Sequence, residues 1–213
     1  MTRKGGGVTD DRRSPLAGLE ASEALRELPF LAQIGIRTQT PEGRAAAASV
    51  LVGSLPEAPN TTAAQSGEQS VLWLGPGEWL VVGPPGTEAA LEAALGAALA
   101  GGLGAVVDLS ANRTTLELRG PHARDVLAKG CALDLHPRSF TPGCCAQTMV
   151  GRAAVILEQS DNEPTYRLFV RGSFAGYLAA WLSDGLEEFA PASPSRSSAS
   201  RRQRSVRATS LNV

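Results

Sequence analysis

Three cysteines and two histidines are the side chains with most capacity for covalent or metal chemistry in this 213-residue sequence. A cysteine nucleophile needs a neighbouring base and a third group to orient that base, and His136 lies close in sequence to Cys131. Pro137 follows His136, and its ring disfavours helical backbone at the preceding residue, so a histidine hydrogen-bonded in a loop is the plainer reading. Cys144 and Cys145 are adjacent. They cannot form the C-x2-C knuckle that turns two thiolates towards zinc, and neither histidine falls at a ligand spacing from them. Buried thiols in a turn and strand compete with redox chemistry as their explanation, and free cysteine usually behaves as a small core hydrophobe.

The remaining candidates are weaker. Asp108-Leu109-Ser110 lacks the G-x-S-x-G turn that lifts a nucleophilic serine, which leaves Ser110 as a turn or cap residue. Gly101-Gly102-Leu103-Gly104 precedes a strand and does not link a strand to a helix, and no G-x4-G-K-[ST] occurs, so no nucleotide site is signalled. Arg113, Arg119, Arg124, Arg138 and Arg152 admit three readings: contacts to a carboxylate-rich ligand, an interface in which arginine is enriched, or ordinary solvated and paired side chains. Trp73, Trp79 and Trp181 sit on apolar stretches and read as core or interface anchors. No catalytic, cofactor-binding or metal-binding residue is expected.

Most of these groups belong to one dense segment, Ala105 to Met149. Val106, Val107 and Leu109 predict the end of a buried strand, and Thr114, Leu116 and Leu118 alternate with Thr115, Glu117 and Arg119 as a half-buried strand does. Gly120-Pro121 turns the chain into a short helix with Ala123, Val126 and Leu127 on one face, an Asp125–Lys129 pair outside and Gly130 at its close. Upstream, the pattern predicts a strand over Leu31 to Arg37, a helix from Pro41 to Val52 stopped by Gly53, and a loop from Leu55 to Gln69. A hairpin follows, with strands Val71 to Leu74 and Trp79 to Val82 about Gly75-Pro76-Gly77-Glu78, then a helix over Glu88 to Leu99 capped by Thr87. Downstream come strands at Cys145 to Val150, Ala153 to Glu158 and Tyr166 to Val170. The last helix is capped by Ser173 and carries an apolar face of Phe174, Tyr177, Leu178, Trp181, Leu182 and Leu186. Helices separated by pairs of strands argue against a doubly wound parallel sheet and for an α+β fold with mainly antiparallel sheets and helices packed on them. A loose duplication divides the body into halves at about 25–104 and 105–189.

The composition, 43% hydrophobic and 19% charged, is that of an ordinary globular domain. Of the formal charge of -1, five arginines lie beyond residue 190, and removing them leaves -6 on residues 1–189. An acidic body gives no electrostatic case for nucleic acid. The N-terminus lacks the apolar run of a secretory signal, the stretch Ala93 to Val107 falls short of the roughly 20 residues of a membrane span, and an odd cysteine count fits a reduced compartment. A cytoplasmic protein with no membrane association is expected. Residues 1–12 are predicted to be flexible, 13–189 to form the α+β body, and 190–213 to be a disordered Ser/Arg-rich tail. The tail reads as a solvated segment or as a binder of RNA or acidic lipid.

Several short motifs recur together in order. They are Arg13-Ser-Pro-Leu16, Leu74-Gly-Pro-Gly-Glu-Trp-Leu80, Val107-Asp-Leu-Ser110 with Asn112-Arg113-Thr114, and Arg119-Gly-Pro121 with Ala123-Arg-Asp-Val-Leu127. Lys129-Gly-Cys131, Leu133-Asp-Leu-His-Pro137, Cys145-Ala-Gln-Thr148 and Tyr166-Arg-Leu-Phe-Val170 continue the series. Over about residues 13–186 this set resembles the gamma subunit of heterotetrameric sarcosine oxidase. Cys144 beside Cys145 departs from the pattern, and the Ser/Arg tail lies outside it.

The resemblance implies a fold similar to the folate-binding aminomethyltransferases. It implies a non-catalytic structural subunit of a complex that oxidatively demethylates sarcosine to glycine with O2 and tetrahydrofolate, giving 5,10-methylenetetrahydrofolate and hydrogen peroxide. The partners would be the alpha, beta and delta subunits, with FAD, FMN and NAD held by alpha and beta, tetrahydrofolate by a partner subunit, and no cofactor in this chain. Asp108, Asn112, Arg113, His136 and Cys145 are then expected to support the fold or a subunit interface. The alternatives are a free-standing folate-binding, aminomethyltransferase-like protein and an RNA-associated protein acting through its tail.

Overall fold

The computed structural model describes residues 12–51, 54–64 and 69–190. The expected flexible segment over 1–12 and disordered tail over 190–213 lie, apart from Arg12 and Ala190, outside the described residues. Along the chain the elements are β1 (Leu25–Leu28), β2 (Ala32–Arg37), α1 (Pro41–Val50), β3 (Thr62–Ala64), β4 (Ser70–Gly75), β5 (Glu78–Gly83) and α2 (Glu88–Ala98). Then come β6 (Ala105–Asp108), β7 (Arg113–Leu118), α3 (Ala123–Ala128), β8 (Cys145–Val150), β9 (Ala153–Gln159), β10 (Tyr166–Arg171) and α4 (Gly172–Glu187). The order strand, strand, helix, three strands, helix therefore runs twice.

Two five-stranded sheets result, one ordered β3-β4-β5-β2-β6 and the other β1-β7-β10-β9-β8. Every pairing in both is antiparallel, as the sequence pattern predicts for an α+β fold. The first strand of each series lies in the other series' sheet: β1 pairs with β7, and β6 pairs with β2. Neither sheet is complete without both halves of the chain.

Alternation along the strands builds four layers. In β5, Trp79 and Val81 face α1 and α2 in a core with Ile34, Ile36, Leu95 and Leu99, while Leu80 and Val82 point the other way. In β10, Tyr166, Leu168 and Val170 join Val126, Leu178 and Leu182 of α3 and α4, while Phe169 points towards the facing sheet. Leu72, Leu80, Val82, Cys145, Ile156 and Phe169 form the buried core between the sheets. The layers are thus helices, sheet, sheet, helices. Gly77, at φ 75, makes the turn between β4 and β5; a Cβ there would also stand 2.6 Å from the Thr38 carbonyl.

Some local expectations change. β1 was not predicted, and β3 lies inside the stretch read as a loop. Thr40 caps α1 by accepting from the Gly43 N–H at 3.0 Å, with Pro41 at the first helical position. Thr87 precedes α2 but makes no side-chain cap; its hydroxyl donates to the Pro84 carbonyl at 2.7 Å. α4 starts directly from β10, so Arg171 is its cap residue and Ser173 lies within it. Asp125 pairs with His122, and Lys129 instead donates to the Gly185 carbonyl at 2.9 Å and to Glu188 at 2.5 Å.

One polar feature crosses the second sheet. Arg26, Glu117, Arg167, Glu158 and Cys145 stand opposite one another in register on β1, β7, β10, β9 and β8, on the face turned to the other sheet. Glu117 accepts from Arg26 Nε at 2.8 Å and Nη2 at 2.7 Å, and Arg167 Nε lies 3.9 Å from its other oxygen.

Candidate functional site

Asp108, Asn112 and Arg113 come together at the point where the chain leaves β6 in one sheet and enters β7 in the other. The crossing is held by side-chain and backbone hydrogen bonds outside the ladders, because its backbone leaves one ladder before it joins the next. Asp108 Oδ1 accepts from the Ser110 N–H at 2.9 Å and from the Ser110 hydroxyl at 2.5 Å. Ser110 Oγ in turn accepts from the Gln33 N–H at 2.9 Å, tying the turn to β2. The Asn112 N–H donates to the Leu109 carbonyl at 2.9 Å, and the Asn112 carbonyl accepts from Gly172 N at 3.4 Å. The motif D-L-S-x-N-R-T is therefore a crossover between sheets that also touches the start of α4.

Arg113 is half-buried there and pairs in register with Arg171. Burial, and then the positive Arg171 beside it, hold its guanidinium below the ordinary arginine value. Its Nη1 is buried without a hydrogen bond among the described residues. Asp108, Ser110 and Arg113 share a cavity of about 450 Å3 with Phe30 and Arg13.

His136 and Cys145 are elsewhere. His136 is exposed in the loop after α3, where its N–H donates to Asp134 Oδ1 at 3.0 Å and its Nδ1 accepts from the Arg138 N–H at 3.2 Å. The Asp134 carboxyl is lowered by the Ser139 hydroxyl and then by that His136 N–H. Cys131, the supposed partner of His136, is buried with its sulfur 3.9 Å from Thr148 Oγ1. The imidazole serves a tight turn. Among the described residues no group of three or more His, Cys, Asp and Glu side chains could hold a metal ion.

Cys145 is fully buried on β8 between the sheets. Its sulfur lies 3.4 Å from the carbonyl oxygens of both Thr61 and Trp73, which share its one S–H as acceptors. Burial, with Glu158 beside it, pushes its thiol up to about 12. A thiolate is the reactive form, so Cys145 is inert in the folded chain. Brief iodoacetamide treatment of the native protein at neutral pH is expected to modify partly exposed Cys144 and spare Cys145. Peptide mass spectrometry reads the outcome, and equal labelling of the two would contradict this assignment.

The sequence reading missed the exposure of Phe174 and Tyr177. They lie one turn apart on α4 and are 43% and 40% exposed, while Ala175, Leu178, Ala179 and Leu182 bury the other side. The Tyr177 hydroxyl accepts from the Arg152 N–H at 3.1 Å, so its ring lies along the β8–β9 turn with one side open, and Phe174 stands beside it.

Comparison with known proteins fits this arrangement. The family described as "Sarcosine oxidase, gamma subunit family" matches residues 38–188. The sarcosine oxidase subunit gamma of Corynebacterium sp. (strain P-1) is 40% identical over 192 residues, covering 85% of this chain and 93% of that protein. A chain of the heterotetrameric sarcosine oxidase from Corynebacterium sp. U-96, solved in complex with pyrrole 2-carboxylate, superposes with a TM-score of 0.77 at 37% identity. That match covers 85% of this chain and 98% of the other. The glycine cleavage system aminomethyltransferase T from Bartonella henselae superposes with a TM-score of 0.60 at 18% identity, over 74% of this chain and 44% of that one, which shows the shared fold. The chain belongs to the sarcosine oxidase gamma subunit family.

Proposed function

We propose that this chain is a structural, assembly subunit of a heterotetrameric sarcosine oxidase, with alpha, beta and delta subunits as its partners in the cytoplasm. The observation that carries the reading is the near full-length match to a chain of the solved heterotetramer. On this reading the oxidative demethylation of sarcosine, with O2 and tetrahydrofolate, takes place in the partner subunits, which hold FAD, FMN, NAD and tetrahydrofolate. Two features of this chain support it. The turn from Gly101 to Gly104 joins α2 to β6, the reverse of the strand-to-helix order that cradles a dinucleotide phosphate, and Cys145 is sealed in the core. Asp108, Asn112 and Arg113 support the crossover between sheets, His136 supports its own turn and Cys145 the inter-sheet core. Phe174 and Tyr177 form the patch assigned to a partner subunit. The twice-run order of elements supports a pseudo-repeat with halves at about 25–104 and 105–189.

Co-expression with the partner subunits tests the proposal. It is expected to give one yellow complex with sarcosine-dependent oxygen uptake, and a stable monomer that never copurifies would overturn it. Calorimetry of the isolated chain with tetrahydrofolate is expected to show no tight binding. Micromolar affinity would favour the free-standing folate-binding reading.

A further inference from the structure

At the end of β7 and β10 remote from the charged row, Arg113 stands directly opposite Arg171. Val170 and its register partner Thr114 take the helix side, so alternation turns both arginines to the face of the other sheet. Like charges directly opposite on neighbouring strands repel, and the half-buried Arg113 guanidinium is held down by burial and then by Arg171. Neither side chain, nor that of Arg13 on the same cavity, has an ion pair or hydrogen bond among the described residues. The carboxylates about the cavity are committed elsewhere. Glu88 accepts from Arg12 at 2.8 Å, and Asp108 spends Oδ1 on the N–H and hydroxyl of Ser110. Glu27 lies on the opposite face of the sheet, accepting from Ser14 and Thr114. Two cations in register, one of them half-buried and neither with a counter-ion, are half of an ion pair.

We infer that an acidic segment of a partner subunit docks here, placing one carboxylate on Arg113 and a second on Arg171. The inference rests on the subunit reading above and adds to it the place and the chemistry of one contact. A chain segment fits better than a small anion, because Arg113 and Arg13 line the cavity of about 450 Å3 while Arg171 stands outside it. An ion in the cavity would leave Arg171 unanswered, whereas two acidic side chains on one segment reach both. The cavity also has an apolar wall of Pro15, Pro29 and Phe30, which keeps water from a carboxylate seated on Arg113 and so strengthens that pair. Phe30 holds its ring there at a φ of 60, a left-handed backbone that a bulky residue rarely adopts. Gly172 lines the cavity too, and it opens α4, whose exposed Phe174 follows two residues later. The arginines and Phe174 therefore lie at one end of that helix.

Capture of the full-length chain by tagged partner subunits, with a thermal melt of each variant alone, tests it. Arg171→Glu supplies within the chain the carboxylate that the partner brings to Arg113. It is expected to raise the Tm of the isolated chain by about 2–4 °C, through relief of repulsion and a new cross-strand pair, and to weaken capture at least about tenfold. Arg113→Met keeps the apolar contacts of the stem and removes the charge. It is expected to melt no lower than the parent and to weaken capture at least about tenfold as well. Raising NaCl from about 0.05 M to about 0.5 M is expected to weaken capture of the parent more steeply than that of either variant. If the parent is not captured at all, the subunit reading fails and this inference with it. If the parent is captured and both variants bind with its affinity, this inference alone is overturned. A Tm rise of the parent in millimolar phosphate would then reassign Arg113 to a small anion. A lower Tm for Arg171→Glu would overturn the pairing on which the inference rests.

Discussion

Phe169→Ala is expected to destabilise the protein by about 3–5 kcal/mol and to lower its Tm by about 10 °C. The reason lies in how little joins the two sheets. Each sheet has its own helical layer and its own core, but among the described residues the apolar core between the sheets contains six buried side chains, and Phe169, at 1% exposure, is the largest of them. Neighbouring Leu80 and Ile156 cannot close over the void, because each is fixed by a strand ladder on either side of it. A domain is stable by only about 5–15 kcal/mol, so this one truncation removes a large share. Urea denaturation followed by tryptophan fluorescence measures it. A loss under about 1 kcal/mol would mean that the sheets are held together elsewhere, with the crossover at Asp108 as the next place to look.

How far this architecture could be read from the sequence depended on where each strand finds its partner. The hairpin of β4 and β5 and the helices α1, α2 and α4 are local, with turn residues and periodicity within one window, and they were legible. β3 was not, because Thr62–Ala64 is three residues long and its period is imposed by pairing with β4. The apolar run at β6 was read as buried, yet β6 is an edge strand and Val107 is 52% exposed. Edge and centre are set by tertiary pairing, which alternation does not encode.

α4 shows a subtler failure. Its widest stripe of large apolar residues includes Phe174 and Tyr177, but the buried stripe is rotated towards Ala175, Ala179 and Gly185. Small residues let the helix approach closely: a Cβ on Gly185 would stand 2.9 Å from Val126 Cγ1 of α3. Residue size, not hydrophobicity, chose the face. The same limit hid the charged row. Glu117 and Glu158 sit at positions that alternation assigns to solvent, and only the stacking of a second sheet turns those positions inward. The crossover was legible as the dense motif from Asp108 to Arg113, and its role became plain only once β6 and β7 were seen in different sheets.

The exposed patch that α4 leaves uncovered leads to the second large effect. Phe174→Glu is expected to leave the isolated chain folded, with Tm within about 2 °C of the parent, and to weaken its assembly with the partner subunits by thirtyfold or more. The two consequences separate because of where residue 174 stands. It is third in α4, in the first turn, where the exposed N–H groups and helix dipole favour an acidic side chain by about 0.3–1 kcal/mol, and Arg171 at the cap adds a nearby positive charge. An exposed phenylalanine contributes little to the monomer's own core, so stability should hold. At a subunit contact the same change removes an aromatic anchor and buries an unpaired carboxylate. An anchor of this kind is worth about 2 kcal/mol or more, and the buried charge adds to the loss. Phe174→Leu, which keeps the apolar surface, should assemble nearly as the parent does. Pull-down of each variant by a tagged partner subunit, beside a thermal melt of each alone, reads both quantities. If the glutamate variant assembles normally, this face of α4 is not the contact, and Phe174 and Tyr177 are reassigned to solvent.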